Sequence, residues 1–363
     1  MTVPGRYSSA FFAALDPRAV EQVFLDLEVY RGCIELARAR APSEVDGFFG
    51  PGSLLWRVFG DPMNSAGAIR AVALQIAHPA IAAAGIQNSQ FRQNFIGRAW
   101  RTYATMSELV FGDVSTACLA SERIHVVHAM VRGTVPPEAS PARAGSSYRA
   151  NDPRLLMWVL ATLYEASVFA SDRLIEPMPR TKRARFYDEM RLLGLLIGIP
   201  CEDMPGDLES FDRYWESMAA TELETGPAAR ELMAFLVSSS LSRLSRWTQV
   251  APLTRLDDAW IRMSIPHEWA AGLGLRPTET DRHLFAQTTR TLRLARHATP
   301  TAAARIPAYH QAMLRVSRSA GRSGPTIARA VDRVNRRWRL PMSLKPVEPL
   351  TGPAAEVARD LMQ

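Results

Sequence analysis

The chain has 363 residues, 47% hydrophobic and 22% charged, with a formal net charge of +7 and three cysteines. That much apolar material can bury a large core and excludes a disordered chain, while an odd cysteine count with no CxxC pair excludes a disulfide framework and fits a reducing, cytoplasmic setting. Residues 315–339 hold eight arginines against Asp332 alone and account for the whole net charge; no RNP motif, zinc knuckle or interleaved aromatic platform accompanies them, so they read as a solvated helix face or a homo-oligomer contact and not as a nucleic-acid site.

In chain order, MTVPGRYSSAFFAALDP has too short an apolar run for a secretory signal or an anchor. Asp16-Pro17 opens one or two amphipathic helices that Pro42 ends. After the turn-rich GFFGPG and a short helix, Asn64-Ser65 is placed to cap a long helical segment from Ala66, and Pro79 must sit at a helix start or a kink. The apolar run Ala71 to Ile86 is broken by Gln75, His78 and Pro79 and falls short of the ~20 residues that span a bilayer. Gly97 to Phe111 and the stretch around Ile124 to Val131 read as helices. Residues 134–148, with three prolines, read as a surface loop.

Asn151-Asp152-Pro153 is a cap signal before LLMWVLATLYEASVFASDRLI, which is apolar on nearly all sides and therefore central to a core. TKRARFYDEMRLLGLLIGIP follows and stops at Gly198 and Pro200. Phe211 to Ala220, Ala228 to Leu244 and Thr278 to Ala295 continue the helical pattern. No stretch alternates β-branched residues as a strand would. The expected fold is all-α, with residues 1–250 as the core and residues 251–363 as a C-terminal helical extension packed on it.

Chemistry concentrates between Gln75 and Gly133. His78, His125 and His128 lie there among apolar helical runs, where an imidazole needs a specific partner. Arg98, Arg101, Thr102 and Thr105 follow i, i+3, i+4, i+7 spacing, so two guanidiniums and two hydroxyls share a helix face able to meet something anionic or oxygen-rich. Nucleotide-binding glycine loops, a GxSxG elbow and HExxH are absent. Glu122-x-x-His125 is half of a di-iron carboxylate pattern, but the chain has no second Glu-x-x-His. Haem iron asks less: one neutral imidazole, apolar walls, and arginines or hydroxyls for propionates and oxygen. On spacing alone His125 and His128 are equally well read as satisfied core histidines.

The ordered motifs GFFGPGSLLWRVFGDP, ALQIAHPAIAAAG, RAWRTYATMSELVFG, HAMVRG and SSYRANDPRLLMWVLATL resemble the family of bacterial latex clearing proteins (rubber oxygenases) and the mpaB-type oxygenase, over roughly Gly47 to Tyr214. The resemblance implies a globin-like helical core with additional N- and C-terminal helices. It implies haem b as cofactor and use of dioxygen on an apolar small molecule, with oxidative C=C cleavage as the reaction. His128, in the H-x-x-V-x-G pattern, is then the implied iron ligand, with His125 and Thr105 beside the cofactor.

Arg98, Arg101 and Thr102 match the family's Arg-x-x-(Lys/Arg)-Thr stretch, and arginine at 101 stays protonated and is a poor iron ligand. Leu160 stands where many members have histidine. No Asp or Glu occurs from His78 to Gly97, where the rubber oxygenases have a carboxylate, so His78 or His125 would have to act as base. The alternatives are a haem-binding sensor or carrier without turnover, and a non-haem helical protein.

Overall fold

The computed structural model describes residues 27–87, 95–239, 251–338 and 343–344. Among them the chain forms fifteen α-helices and one two-stranded sheet, so the fold is all-α. The Asp16-Pro17 start and the 240–244 end of the helix expected from Ala228 lie outside the described residues.

Helix α1 (Leu27–Arg38) buries Tyr30, Cys33 and Ala37 at helical spacing. Helix α2 (Leu54–Phe59) starts at Ser53, whose hydroxyl accepts from Trp56 N at 3.0 Å, and the Glu189 carboxylate takes the N–H groups of Leu54 and Leu55 at 3.0 and 2.6 Å. The orphan donors of that first turn are thereby satisfied. Asn64-Ser65 does not cap the following helix. Asp61 accepts from Met63 N at 3.1 Å and opens a 3-10 turn over Pro62–Gly67, and helix α3 (Ala68–Ile76) continues from it, with Ala68 N bonded back to Ser65 O. Pro79, which has no N–H to give, starts helix α4 (Pro79–Gln87) at 100° to the segment before it.

Helices α5 (Phe95–Phe111) and α6 (Val114–Ala129) form a hairpin. The region after α6 is not a plain surface loop. Arg132–Thr134 pairs antiparallel with Ser147–Arg149, Gly133 opposite Tyr148, and Val135, Ala139 and Ser140 are buried between the strands. A side chain at position 133 would press on the Tyr148 hydroxyl and Gln87, so glycine there lets the ribbon form.

Helix α7 (Pro153–Ala170) is capped by Asp152, buries twelve of its side chains and runs into a π-helical turn at Ser171–Ile175. Pro153–Ile175 is long and apolar enough to cross a membrane by length and composition; here 67% of its most apolar window is buried inside the fold, as befits the central core helix. Helix α8 (Arg180–Leu196) ends at Gly198, whose φ of 89° suits only glycine well. Then come α9 (Leu208–Thr221), α10 (Pro227–Ser239), α11 (Ala251–Ser264), α12 (His267–Ala270), α13 (Glu279–Ala298), α14 (Pro307–Ser319) and α15 (Thr326–Trp338).

Two apolar clusters hold these helices. The first gathers Trp56, Phe111, Trp158, Tyr187 and Phe211, and takes in Ile306, Ala308 and Ala312 from the C-terminal part. The second, rich in alanine, gathers Ala73, Ala82 and Ala83 against Leu232, Leu236 and Ile261. Helix α7 feeds both, Leu156 to the first and Leu155 to the second, and α6 lies at the same seam, with Ile124 against the first cluster and Val131, just past its end, against the second. Trp158 donates to Leu74 O at 3.1 Å and Gln75 to Thr162 Oγ1 at 3.0 Å, which fixes α3 on α7.

Candidate functional site at the open end of the α5–α6 hairpin

The turn between α5 and α6 is built tightly. Asp113 caps α6 by accepting from Thr116 N at 2.8 Å, and a side chain at Gly47 would strike the Gly112 carbonyl. The buried Arg315 guanidinium donates to Phe111 O at 2.7 Å and to Val45 O at 2.9 Å, a cation on the carbonyl end of α5. One of the eight arginines of the basic segment is thus an internal cap. Trp56 Nε1 donates to Val110 O at 2.7 Å on the same turn.

An ion pair between Glu108 and Arg123 fastens the two helices near mid-length. From it α5 runs back to Thr105 and Arg101 while α6 runs on to His125 and His128, so antiparallel geometry brings these four residues to the open end. Arg101, Thr105 and His128 are half-buried there, Thr102 is exposed, and Trp100 is 46% exposed. The Arg98 side chain lies outside the described residues.

Deeper in, α6 carries a buried polar cluster. His125 is 4% exposed and stacks on Tyr30, ring centroids 4.2 Å apart at 24°. Its Nε2 has no hydrogen-bond partner among the described residues, and burial lowers its pKa to about 4, so the ring is neutral at physiological pH. One turn earlier Glu122 is 3% exposed with Oε1 unpartnered, and burial pushes its carboxyl up to about 7 against the pull of Arg123.

Ser121 donates to Leu196 O, and since its single hydroxyl proton is spent there, the Tyr30 hydroxyl must be the donor in the 2.7 Å Tyr30–Ser121 bond. Burial drives the Tyr30 phenol far above its usual range, in keeping with that donor role. Asn151, 7% exposed, donates to His125 O at 3.1 Å and leaves its own Oδ1 unpartnered.

His78 stands apart from this cluster. It is buried at the α3–α4 break, its Nδ1 accepts from Ala80 N at 3.2 Å as the cap of α4, and burial lowers its pKa to about 4. Among the remaining histidines, His267 and His283 are exposed, His297 meets Ile175 O at 2.9 Å, and His310 is buried on α14. Leu160 is 1% exposed and packs against Gly194, so its place in the motif is filled here by core. No group of three or more His, Cys, Asp or Glu side chains is placed to hold a metal ion among the described residues.

Residues 56–294 match the model of the family described as ER-bound oxygenase mpaB/B'/Rubber oxygenase, catalytic domain. The chain belongs to this family. The match takes in both helices of the hairpin and reaches into α13, beyond the motifs that carry the resemblance in sequence, but leaves out α1 with Tyr30. An uncharacterized protein of Mycobacterium bovis and one of Mycobacterium tuberculosis are each 31% identical over 119 residues, 33% of this chain. The chain covers 44% of the length of these relatives. No solved structure gives a significant match.

Sequence spacing brought out the Arg-Thr face and the His125–His128 pair of this oxygenase-family chain. Tyr30 and Asn151 were not legible as partners of His125, nor Ser121 as the partner of Tyr30. Tyr30 is 95 residues away along the chain, and a serine in a helix carries no signal of its target. Glu122 was visible only as half of a di-iron pattern; what matters is its burial with Oε1 unpartnered among the described residues.

Proposed function

We propose that this chain is a haem b-dependent oxygenase that uses dioxygen on an apolar small molecule, oxidative C=C cleavage being the reaction class the family resemblance implies. Family membership carries the reading, and the chemistry of the donor set fits the group. His128 offers an imidazole at a seam between two apolar clusters, α5 brings guanidinium and hydroxyl groups to the same end, and three polar atoms buried nearby, on Glu122, His125 and Asn151, have no hydrogen-bond partner among the described residues. His128 would hold the iron, with Arg98, Arg101 and Thr105 toward the propionates and His125 and Thr102 bordering the cofactor. The bound haem supplies the dioxygen chemistry.

The chain's own residues set the conditions. Arg101 stays protonated, so it would offer the cofactor a cation and hydrogen-bond donors and would not serve as an iron ligand. His78 spends Nδ1 on the α4 cap and, like His125, is a weak base at about 4. Glu122, at about 7, is the buried group that exchanges a proton near neutral pH.

Wild type and His128→Ala expressed in haem-replete cells decide the matter by absorption spectrum. A Soret band in the wild type that is lost or strongly shifted in the variant is the expected result, followed by alkene-dependent oxygen uptake. A colourless wild type, or a band indifferent to His128, defeats the haem assignment. A stable haem spectrum with no oxygen uptake on any alkene leaves a sensor or carrier.

A further inference from the structure

The positive charge of this chain is gathered on one rigid helical hairpin. Helices α14 and α15 pack against each other through a turn in which Gly321 and Gly324 adopt φ of 69° and 74°, and Arg322 N closes on Ser317 O at 2.8 Å. Ala328 is buried and Ile327 and Val331 are half-buried on the inner face of α15. The single acid of the segment, Asp332, is held by Arg336 at 2.6 Å and lies 3.8 Å from Arg318 of α14. Arg315 is spent inside the fold on the carbonyls of Phe111, at the end of α5, and Val45.

What remains outward is a stripe of cations with an apolar ridge. Arg322, Arg329 and Arg333 are exposed and have no carboxylate partner among the described residues, and beside them Ala330 and Val334 face out, Val334 45% exposed. Arg329 and Arg333 are one helical turn apart, about 6 Å along the axis, and Ala330 and Val334, also one turn apart, form a second row about 100° further round the helix. Among the described residues, these charges have no carboxylate beside them and Val334 is left uncovered.

We propose that the outer face of α15 docks this protein on an anionic lipid surface. A row of guanidiniums beside a shallow apolar row matches phosphate headgroups above the acyl boundary. Sequence-specific readout of nucleic-acid bases would need outward amides, and the amide of α15, Asn335, is half-buried and accepts from the Ser343 hydroxyl at 2.6 Å. Docking there would bring an enzyme for apolar molecules to the phase in which they dissolve, but the surface is argued from its own charges and stands without that reading.

The test is co-sedimentation of the full-length protein with vesicles of phosphatidylcholine alone and of phosphatidylcholine mixed with phosphatidylglycerol, at low and high salt. Wild type is expected to sediment with the mixed vesicles at low salt only. An arginine near an anionic surface is worth about a fivefold change in binding, so Arg322→Ser/Arg329→Ser/Arg333→Ser is expected to lose about a hundredfold, and Val334→Asp to lose less. Melting curves should be unchanged, because none of these side chains is buried. Failure of the wild type to bind mixed vesicles, equal binding to phosphatidylcholine alone, equal binding by the triple variant, or tighter binding to a DNA duplex than to vesicles would each overturn the proposal.

Discussion

The two ends of the α5–α6 hairpin differ in how completely their polar groups are satisfied. At the closed end Asp113 caps α6, Arg315 and Trp56 cover the α5 carbonyls, and Gly47 lies so close to Gly112 that no side chain fits. From the middle of α6 toward the open end, three polar atoms, on Glu122, His125 and Asn151, are buried with no hydrogen-bond partner among the described residues. Unsatisfied buried groups cost about 1–3 kcal/mol each, so they persist where something other than stability is served. The closed end is a clamp, and the open end is where the clamped helices present chemistry.

The clamp should break hardest. Gly47→Ala places a Cβ against the Gly112 carbonyl at a backbone φ of 78° that alanine resists, and a loss of more than about 3 kcal/mol is expected from the collision and strain together. Urea unfolding measures it. A loss below about 1 kcal/mol would mean that the turn yields easily and does not register the two helices.

Glu122→Gln should act in the opposite direction. An acid whose folded-state pKa lies above its unfolded value supports the fold only while protonated. Its contribution is complete below the ordinary 4.5, declines as pH rises, and is gone above about 7. Replacing it by neutral glutamine should therefore stabilise the protein at pH 8 by on the order of 2–3 kcal/mol and leave it nearly unchanged near pH 4. His78 and His125, lowered to about 4, work the other way, losing stability as pH falls below 6.5, so the quantity to follow is the difference between variant and wild type. A difference that does not vary with pH would show that Glu122 ionises normally and is not desolvated.

Much of this organisation was legible before the structure. The apolar girth of residues 153–170, the Asp152-Pro153 cap and the Gly198 stop fixed α7 and α8. Local signals failed where a distant group took over. Asn64-Ser65 looked like a cap, but Asp61 before Pro62 opened a 3-10 turn first. The 134–148 region looked like a loop because its strands are three residues long and owe their pairing to Gly133 and Tyr148. Arg315 looked like part of a solvated tail, and only its arrival beside Phe111, 204 residues away in sequence, makes it a cap. At the site, helical spacing placed the side chains of α5 and α6 on shared faces but could not say which of them would find partners.

The smallest expected effect separates donor from acceptor in the relay that holds α6 to α1 and α8. Tyr30→Phe keeps the stack on His125 and removes only the hydroxyl that donates to Ser121, whose own proton still reaches Leu196 O. The cost should be about 1 kcal/mol, that of one hydrogen bond with no group stranded. Ser121→Ala removes a single oxygen yet strands two groups, the Tyr30 hydroxyl and the Leu196 carbonyl, so it should cost about 2–3 kcal/mol. Chemical denaturation of the two variants side by side reads the order. If Tyr30→Phe proved the costlier, the proton direction would be reversed, with Ser121 donating to Tyr30 and the Leu196 contact left as mere proximity.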